Sequence, residues 1–377
     1  VPHRATVAVV SVGDPESPQT WSGTTAGILA GMSQLGVATA AVDVELSRPL
    51  ELVMLGLAGA VRRNRYDAQS APLVAGIRSR IARSRVGGEQ IDGIVQVGTT
   101  FSLPPTVRYV TLEDMTLKQA RVVHPVFGQM SAPAIRAWER RRAAIYSGAR
   151  ICAAASHWAA DSLLADYRLP EERVAVVGLG PNHVRAAGEA KREWSSPRFL
   201  FVGIDWERKG GPLLLRAFSR LRELVPEATL DLVGGHPTVA QPGVTPHGMR
   251  SPSREEDRTL MAELFARATC LVMPSSVEPF GIVHIEAAAA GIPSIGSSVG
   301  GPRDVIAPPH GGLVVDPGDE AGLLEALRRV SDPQAASRMG AAAQARARLY
   351  TWTQVAERLL RALALESPKR EHLAEYL

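Results

Sequence analysis

The residues best suited to chemistry in this 377-residue chain lie between Pro274 and Gly301, read as PSSVEPFGIVHIEAAAAGIPSIGSSVGG. The stretch reads as a strand end, a loop carrying Glu278, a helix carrying Glu286, and a second strand closing on a Gly pair. The helix is expected to begin near Gly281, where unpaired N–H groups and the positive end of the dipole form an anion site. Phosphates take backbone N–H groups and hydroxyls take carboxylate acceptors, so the combination suits a sugar nucleotide. Spacing alone carries little weight. With 38 acidic residues in the chain, chance supplies about four acidic pairs at any fixed separation. The context decides: Pro279 and Gly281 shape the loop, and an Ala run follows. The plain alternative is a buried strand–helix–strand unit whose glutamates are solvated.

Three other loops at strand ends complete a constellation that could meet at one point. After the first strand, Gly13 to Thr24 contains Ser22 as an N-cap candidate and Gly23, which allows close backbone approach to a phosphate. It is neither a GxGxxG fingerprint nor a P-loop. The second loop, Gly203-Ile204-Asp205-Trp206-Glu207-Arg208-Lys209-Gly210-Gly211, sets two cations before a Gly pair and a helix start. That order suits a diphosphate: Arg binds as a fork, Lys as a point charge, and the helix end adds its dipole. In the third, Gly234-Gly235 is small enough to admit a flat nucleobase, with Met249 and Arg250 in the other wall.

The elements that must position these loops follow from pattern. Strand-like and helix-like segments alternate from end to end, which argues α/β with parallel sheets. The expected strands include Thr6–Val12, Ile94–Val97, Val107–Leu112, Ile151–Ala155 and Arg173–Val177. A second series comprises Phe199–Val202, Leu230–Val233, Cys270–Met273, Pro293–Ile295 and Gly312–Val315. Helices are expected at Ser22–Leu35 and Pro212–Leu224, the latter with Pro in its first turn. The length favours two domains. We place the first at 1–180, a Pro- and Gly-rich linker at 181–197, the second at 198–360, and a terminal helix at 361–377 that crosses back to the first. Two doubly wound sheets would face a central cleft, with ligands at the C-terminal ends of strands.

Composition narrows the classes. The chain is 45% hydrophobic and 21% charged, as expected of a globular protein. No apolar run approaches the roughly 18–20 residues that span a bilayer. Val7–Val12 is too short for a signal h-region and reads as a strand. Cys152 and Cys270 sit in apolar strands and are expected to be buried thiols in a reduced cytoplasm. The Ala, Arg and Gly content suggests a bacterial genome. The net charge of +4 is concentrated in the first half, at Arg62, Arg63 and Arg65, at Arg78 to Arg85, and at Arg140 to Arg142. Between Pro72 and Arg85, Leu73, Val74, Ile77 and Ile81 fit an apolar helical face with arginines opposite. Such a helix can contact a membrane surface or an acidic acceptor; a solvated face on a packed helix is the plainer expectation. Nucleic acid is not an expected partner, because no aromatics interleave the basic residues.

With these residues in view, the second half resembles the retaining GT-B glycosyltransferases of family four. The landmarks are FVGIDWERKGG, LDLVGG, the TCLVMPS strand, EPFGIVHIEAAAAG and GGPRDVI, in family order over about residues 199–350. The first half resembles the family more loosely, through its strand–loop–helix opening and ICAAASHWAADSLLADYRLPEERVAVVGLG. The resemblance implies that Glu278 holds donor-sugar hydroxyls, that backbone N–H groups of Phe280, Gly281 and Ile282 meet sugar and phosphate, that Glu286 binds the ribose, and that Lys209 neutralises the leaving diphosphate. It also implies transfer with retention of configuration.

Two positions depart from the family. Ile204 stands where many members have Arg, a charge Arg208 could supply. Glu113-Asp114 stands where many have a His-Asp pair, so Glu113, Asp114 or His124 is a candidate acceptor or sugar contact. The expected function is transfer of a hexose-type sugar from a nucleoside diphosphate sugar to a hydroxyl acceptor, with no metal or other cofactor. The alternatives are a sugar-nucleotide epimerase or hydrolase on the same fold and a non-catalytic sugar-nucleotide-binding protein.

Overall fold

The computed structural model describes residues 5–50, 53, 71–87, 90–182 and 192–365. Arg62, Arg63 and Arg65, most of the expected linker, and residues 366–377 of the expected terminal helix lie outside the described residues. The chain divides into two compact units, residues 1–180 with 351–377 and residues 181–350.

The first unit is built on six parallel strands: β1 (Thr6–Ser11), β2 (Ala38–Asp43), β3 (Gly93–Val97), β4 (Tyr109–Glu113), β5 (Ile151–Ala154) and β6 (Val174–Val176). Their order is β2-β1-β3-β4-β5-β6. The central strands are continuous apolar runs because helices cover both faces of a parallel sheet. β2 escaped the sequence reading: it is an edge strand rich in Ala, without the β-branched run that marks a buried one. The helices are α1 (Thr24–Gln34), α2 (Pro72–Val86), α3 (Leu117–Val123), α4 (Pro125–Gly128), α5 (Ala132–Gly148) and α6 (His157–Ala165).

Two expectations fail here. Ser22 does not cap α1: it adopts left-handed angles, and Gly23 takes the N-cap at φ +83° with no side-chain cap. The buried stripe of α2 is Val74, Ala75, Arg78, Ala82 and Val86, so Leu73 is exposed and Arg78 is inside. The four-residue steps of that stripe run one position off the face inferred from the apolar residues.

The second unit carries β7 (Arg198–Gly203), β8 (Thr229–Gly234), β9 (Val244–Gly248), β10 (Cys270–Val272), β11 (Ser294–Ser297) and β12 (Gly312–Val315). Their order, β12-β11-β10-β7-β8-β9, is all parallel. Counted from β7, this is the doubly wound order that reverses between its first and fourth strands, here β7 and β10. The missed strand β9 is again an edge, and it carries Pro246, which only an edge tolerates. The helices are α7 (Gly211–Leu224), α8 (Glu255–Arg267), α9 (Ile282–Ala289), α10 (Pro302–Ile306), α11 (Glu320–Val330) and α12 (Pro333–Ala347). Phe199, Phe201, Phe218 and Leu221 form the heart of its core under α7.

The chain then returns to the first unit. Thr351 caps α13 (Trp352–Leu363), its side chain accepting the Gln354 N–H at 3.2 Å, and the helix packs chiefly on α1. The second unit therefore ends at 350, not at 360. Trp352 explains the earlier boundary: it lies against Gly27, Gly31 and Gly180, where an added Cβ would strike its ring or backbone. Val355, Ala356, Leu359 and Leu360 continue the buried stripe. Cys152 and Cys270 are both buried and unbridged. Among the described residues, no helix is long and apolar enough to cross a membrane.

A side chain at Gly31 would meet the Trp352 carbonyl, which belongs to the backbone and cannot swing aside. Gly31→Ala is expected to destabilise the first unit by about 1–3 kcal/mol through overpacking. Urea unfolding of wild type and variant measures this; an unchanged midpoint would contradict the close approach.

Candidate functional site

The site begins where the sheet order of the second unit reverses. The loop after β7 and the loop after β10 emerge side by side at the C-terminal edge, the place where open α/β sheets bind ligands. Gly210, at φ +78°, lets the first loop turn against the second; any Cβ there would strike the Pro274 carbonyl. Ser276 N–H donates to the Arg208 carbonyl at 2.8 Å and links the loops directly.

This junction brings Lys209 and Glu278 into a close ion pair, Nζ donating to Oε2. Their side chains are 14% and 9% exposed. Arg208 joins them: its Nη1 stands 3.6 Å from Glu278 Oε2 and donates to the Val277 carbonyl at 3.1 Å. Its Nε is 3.2 Å from Asp205 Oδ2. Arg208 thus reaches the same carboxylate as Lys209, while Ile204 is 74% exposed and brings no charge. Glu278 is fixed by its backbone as well. Its N–H donates to the Val299 carbonyl at 3.2 Å and its carbonyl accepts from Gly301 N–H at 3.0 Å.

Gly281, at φ +84°, is the N-cap of α9, with no side-chain cap. The N–H groups of Ile282 and Val283, which open α9, are therefore available to an anion. Phe280 is buried and tilted against Tyr350 with ring centroids 6.3 Å apart, so its ring anchors the loop. Pro279 is half-buried, and Glu286 sits half-buried one helical turn beyond Ile282.

The third loop closes the edge beside β8. Gly234 lies against the Gly203 backbone. His236 Nε2 accepts from Gly248 N–H at 2.9 Å, so Nδ1 carries the proton given to the Pro237 carbonyl at 2.8 Å. This bond ties the Gly234 turn to the stretch holding Met249 and Arg250. Met249 is 58% exposed, and Arg250 is held by Asp257 at 3.1 Å.

The candidate residues of the first unit are placed differently. Trp21 and Ser22 both adopt left-handed angles (φ 49° and 54°) immediately before Gly23, a conformation costly for side-chain-bearing residues. The Trp21 ring covers Gly98 at the end of β3 and stays 42% exposed. Glu113 is not an open contact. It is buried beneath α5, with Arg142 Nη2 at 3.7 Å, and burial pushes its carboxyl up to about 7. Arg142 in turn lies over the rings of Trp138 and Tyr146. Asp114 is half-buried, and His124 packs edge-on against Phe127 at 5.6 Å.

Among the described residues, no group of three or more His, Cys, Asp or Glu could hold a metal ion. Sequence reasoning missed His284. Its signal was a lone imidazole in the otherwise apolar start of α9, three residues after Gly281. It is 1% exposed, and burial pushes its pKa down to about 4, with Glu278 raising it and Lys209 lowering it.

Comparison with known proteins adds to this picture. Residues 196–332 match the family model described as Glycosyl transferases group 1. A glycogen synthase of Mycobacterium tuberculosis is 33% identical over 198 residues, 48% of this chain and 46% of that protein. A D-inositol 3-phosphate glycosyltransferase of Streptomyces avermitilis is 33% identical over 226 residues, 52% of this chain and 48% of that one. The chain thus spans about half the length of these curated relatives. Among solved structures, sucrose-phosphate synthase from Thermosynechococcus elongatus aligns over 95% of this chain and 98% of its own, with a TM-score of 0.67 and 18% identity. A glycosyltransferase from Rickettsia africae aligns over 96% and 98%, with a TM-score of 0.64 and 14% identity. At those identities the likeness is one of fold.

The sign of one pH dependence follows from His284. Its folded pKa lies below the ordinary imidazole value of 6.5, so the unfolded chain takes up the proton first. Its contribution to stability is present above pH 6.5 and is lost as the pH falls toward 4. Unfolding free energies measured from pH 7.5 to 4.5 should show wild type losing stability relative to His284→Gln as the pH drops. Parallel curves would mean that the imidazole is not held neutral.

Proposed function

From a second unit that is a glycosyl transferases group 1 domain, in a chain of GT-B fold, we propose that the protein moves a hexose-type sugar from a nucleoside diphosphate sugar to a hydroxyl acceptor. The observation that carries this reading is the Lys209–Glu278 pair beside the first turn of α9. It sets a cation for phosphate, a carboxylate for sugar hydroxyls and a helix N-terminus within one strand-end junction. The second unit takes the donor and the first takes the acceptor, a small metabolite, natural product or lipid-linked alcohol.

Each residue then has a task. Lys209 and Arg208 stabilise the negative charge that gathers on the departing diphosphate, typically the largest contribution such a site can make. Backbone N–H groups at Gly281 and Ile282 share that charge through the helix dipole. Glu278 orients the sugar through its hydroxyls, and Glu286 accepts from the ribose. The Gly234 turn, with Met249, frames the base. A leaving phosphate oxygen that takes the acceptor proton on the same face retains configuration without a dedicated base. These groups do the charge work that a metal would otherwise supply.

The names of the curated relatives, a glycogen synthase and a D-inositol 3-phosphate glycosyltransferase, support transfer. The burial of Glu113 against Arg142 weighs against an epimerase that would use it as an acid or base.

Incubation with labelled sugar nucleotides and a panel of alcohols tests the activity. Nucleoside diphosphate released in step with a new glycoside supports transfer; an altered sugar still bound to nucleotide overturns it. Lys209→Ala should slow turnover by roughly 10²–10³, and Glu286→Ala should weaken nucleotide binding about tenfold. Steady-state kinetics on both variants measure these effects; wild-type values in both would remove the site from this junction.

A further inference from the structure

His284 is a buried imidazole with no hydrogen-bond partner on either ring nitrogen among the described residues. Such an arrangement is costly, because one nitrogen carries an N–H with nowhere to give it. The place where it sits gives the cost a use. The backbone N–H of His284 donates to the Gly281 carbonyl at 2.9 Å. A Cβ on Gly281 would stand 3.0 Å from Glu278 Cγ and 3.4 Å from His284 Nε2. A Cβ on Gly296 of β11 would stand 3.1 Å from the ring's Cε1 and 3.2 Å from Nε2. The imidazole therefore lies between two side-chain-free backbones, with Nε2 beneath the turn that carries Glu278.

The charged groups that act on the ring come from both neighbouring loops: Glu278 from the loop after β10 and Lys209 from the loop after β7. On the remaining side, Gly296 and Ile306 are apolar. Burial keeps the imidazole neutral at ordinary pH, its pKa pushed down to about 4. It has one proton to donate and no charge to compete with Lys209 for phosphate.

We propose that His284 is the second partner of Glu278. When a donor diphosphate draws Lys209 away, the Nε2–H of His284 takes up the Glu278 carboxylate and holds it toward the sugar hydroxyls. His284 is then a positioning residue that acts through Glu278, and it distinguishes a nucleoside diphosphate sugar from the bare nucleoside diphosphate. This rests on the donor reading given above. It also accounts for the tolerated cost: the unused N–H in the ion-paired arrangement is the donor required once Lys209 turns to phosphate.

The experiment measures binding of UDP, GDP, ADP and dTDP and of their glucose conjugates by calorimetry, then repeats the tightest pair on variants. His284→Gln can present an amide N–H near the Nε2 position and should keep wild-type affinity for the sugar nucleotide. His284→Asn and His284→Phe cannot, and should lose about tenfold for the sugar nucleotide while holding the nucleoside diphosphate within about twofold. If His284→Phe does not fold, the Gln and Asn pair carries the comparison. In ¹⁵N-histidine-labelled wild type, an Nε2–H resonance shifted to the hydrogen-bonded range should appear with the sugar nucleotide and not with the nucleoside diphosphate. Equal losses for both ligands, or Gln and Asn behaving alike, overturn the inference and leave the donor reading standing. Wild-type protein that binds neither class of ligand overturns the donor reading and this inference with it.

Discussion

The ion pair between Lys209 and Glu278 is the constraint around which the second unit is arranged. The partners are 69 residues apart in sequence, yet they leave adjacent parallel strands at the point where strand order reverses. Two charges this enclosed are stable only together: removing either strands the other in a poorly solvated place. The rest of the junction serves that pairing. Gly210 allows the loops to touch, Ser276 joins them by a backbone hydrogen bond, and the bridge from Glu278 to Gly300 fixes the main chain of Glu278. Arg208 extends the cationic side without loosening the pair, because Asp205 fixes its other end.

A pair of opposite charges is a resting arrangement that a suitable ligand can reorganise. A diphosphate offers Lys209 more charge than one carboxylate does, and sugar hydroxyls offer Glu278 donors in return. The helix α9 contributes to both sides, its N-terminus toward the anion and Glu286 one turn along. The neutral imidazole of His284 suits this setting. A protonated ring there would add a third cation around Glu278 and would itself attract phosphate.

The first unit uses its charges in another way. Glu113 and Arg142 are buried together under α5, with Arg142 between aromatic rings. That cluster packs the unit's interior. The exposed and strained feature is instead Trp21, held in a left-handed turn over Gly98 where the first sheet reverses its order, between β1 and β3. The first unit thus sets a left-handed turn at the kind of topological position where ligands meet such sheets.

What the sequence by itself determined was local. Alternating apolar runs and amphipathic stretches marked ten of the twelve strands among the described residues, because buried strands and packed helices must carry those patterns. Of the four edge strands, β6 and β12 keep β-branched runs and were legible, while β2, rich in Ala, and β9, which carries Pro246, lacked the signal. Gly281 marked the start of α9, and Arg208, Lys209 and Glu278 stood out by their chemistry. What only the tertiary structure decided was which loops meet and which side chains face inward. Strand order, set by packing of the whole sheet, put Lys209 on Glu278. Packing also reversed two readings: Glu113 and Arg78 looked available and are buried. His284 drew no reading from the sequence and lies beneath the turn that carries Glu278. The return of α13 to the first unit rests on Trp352 filling a space left by three glycines that are distant from it in sequence. Contacts of that range depend on three-dimensional closure, which no local pattern encodes.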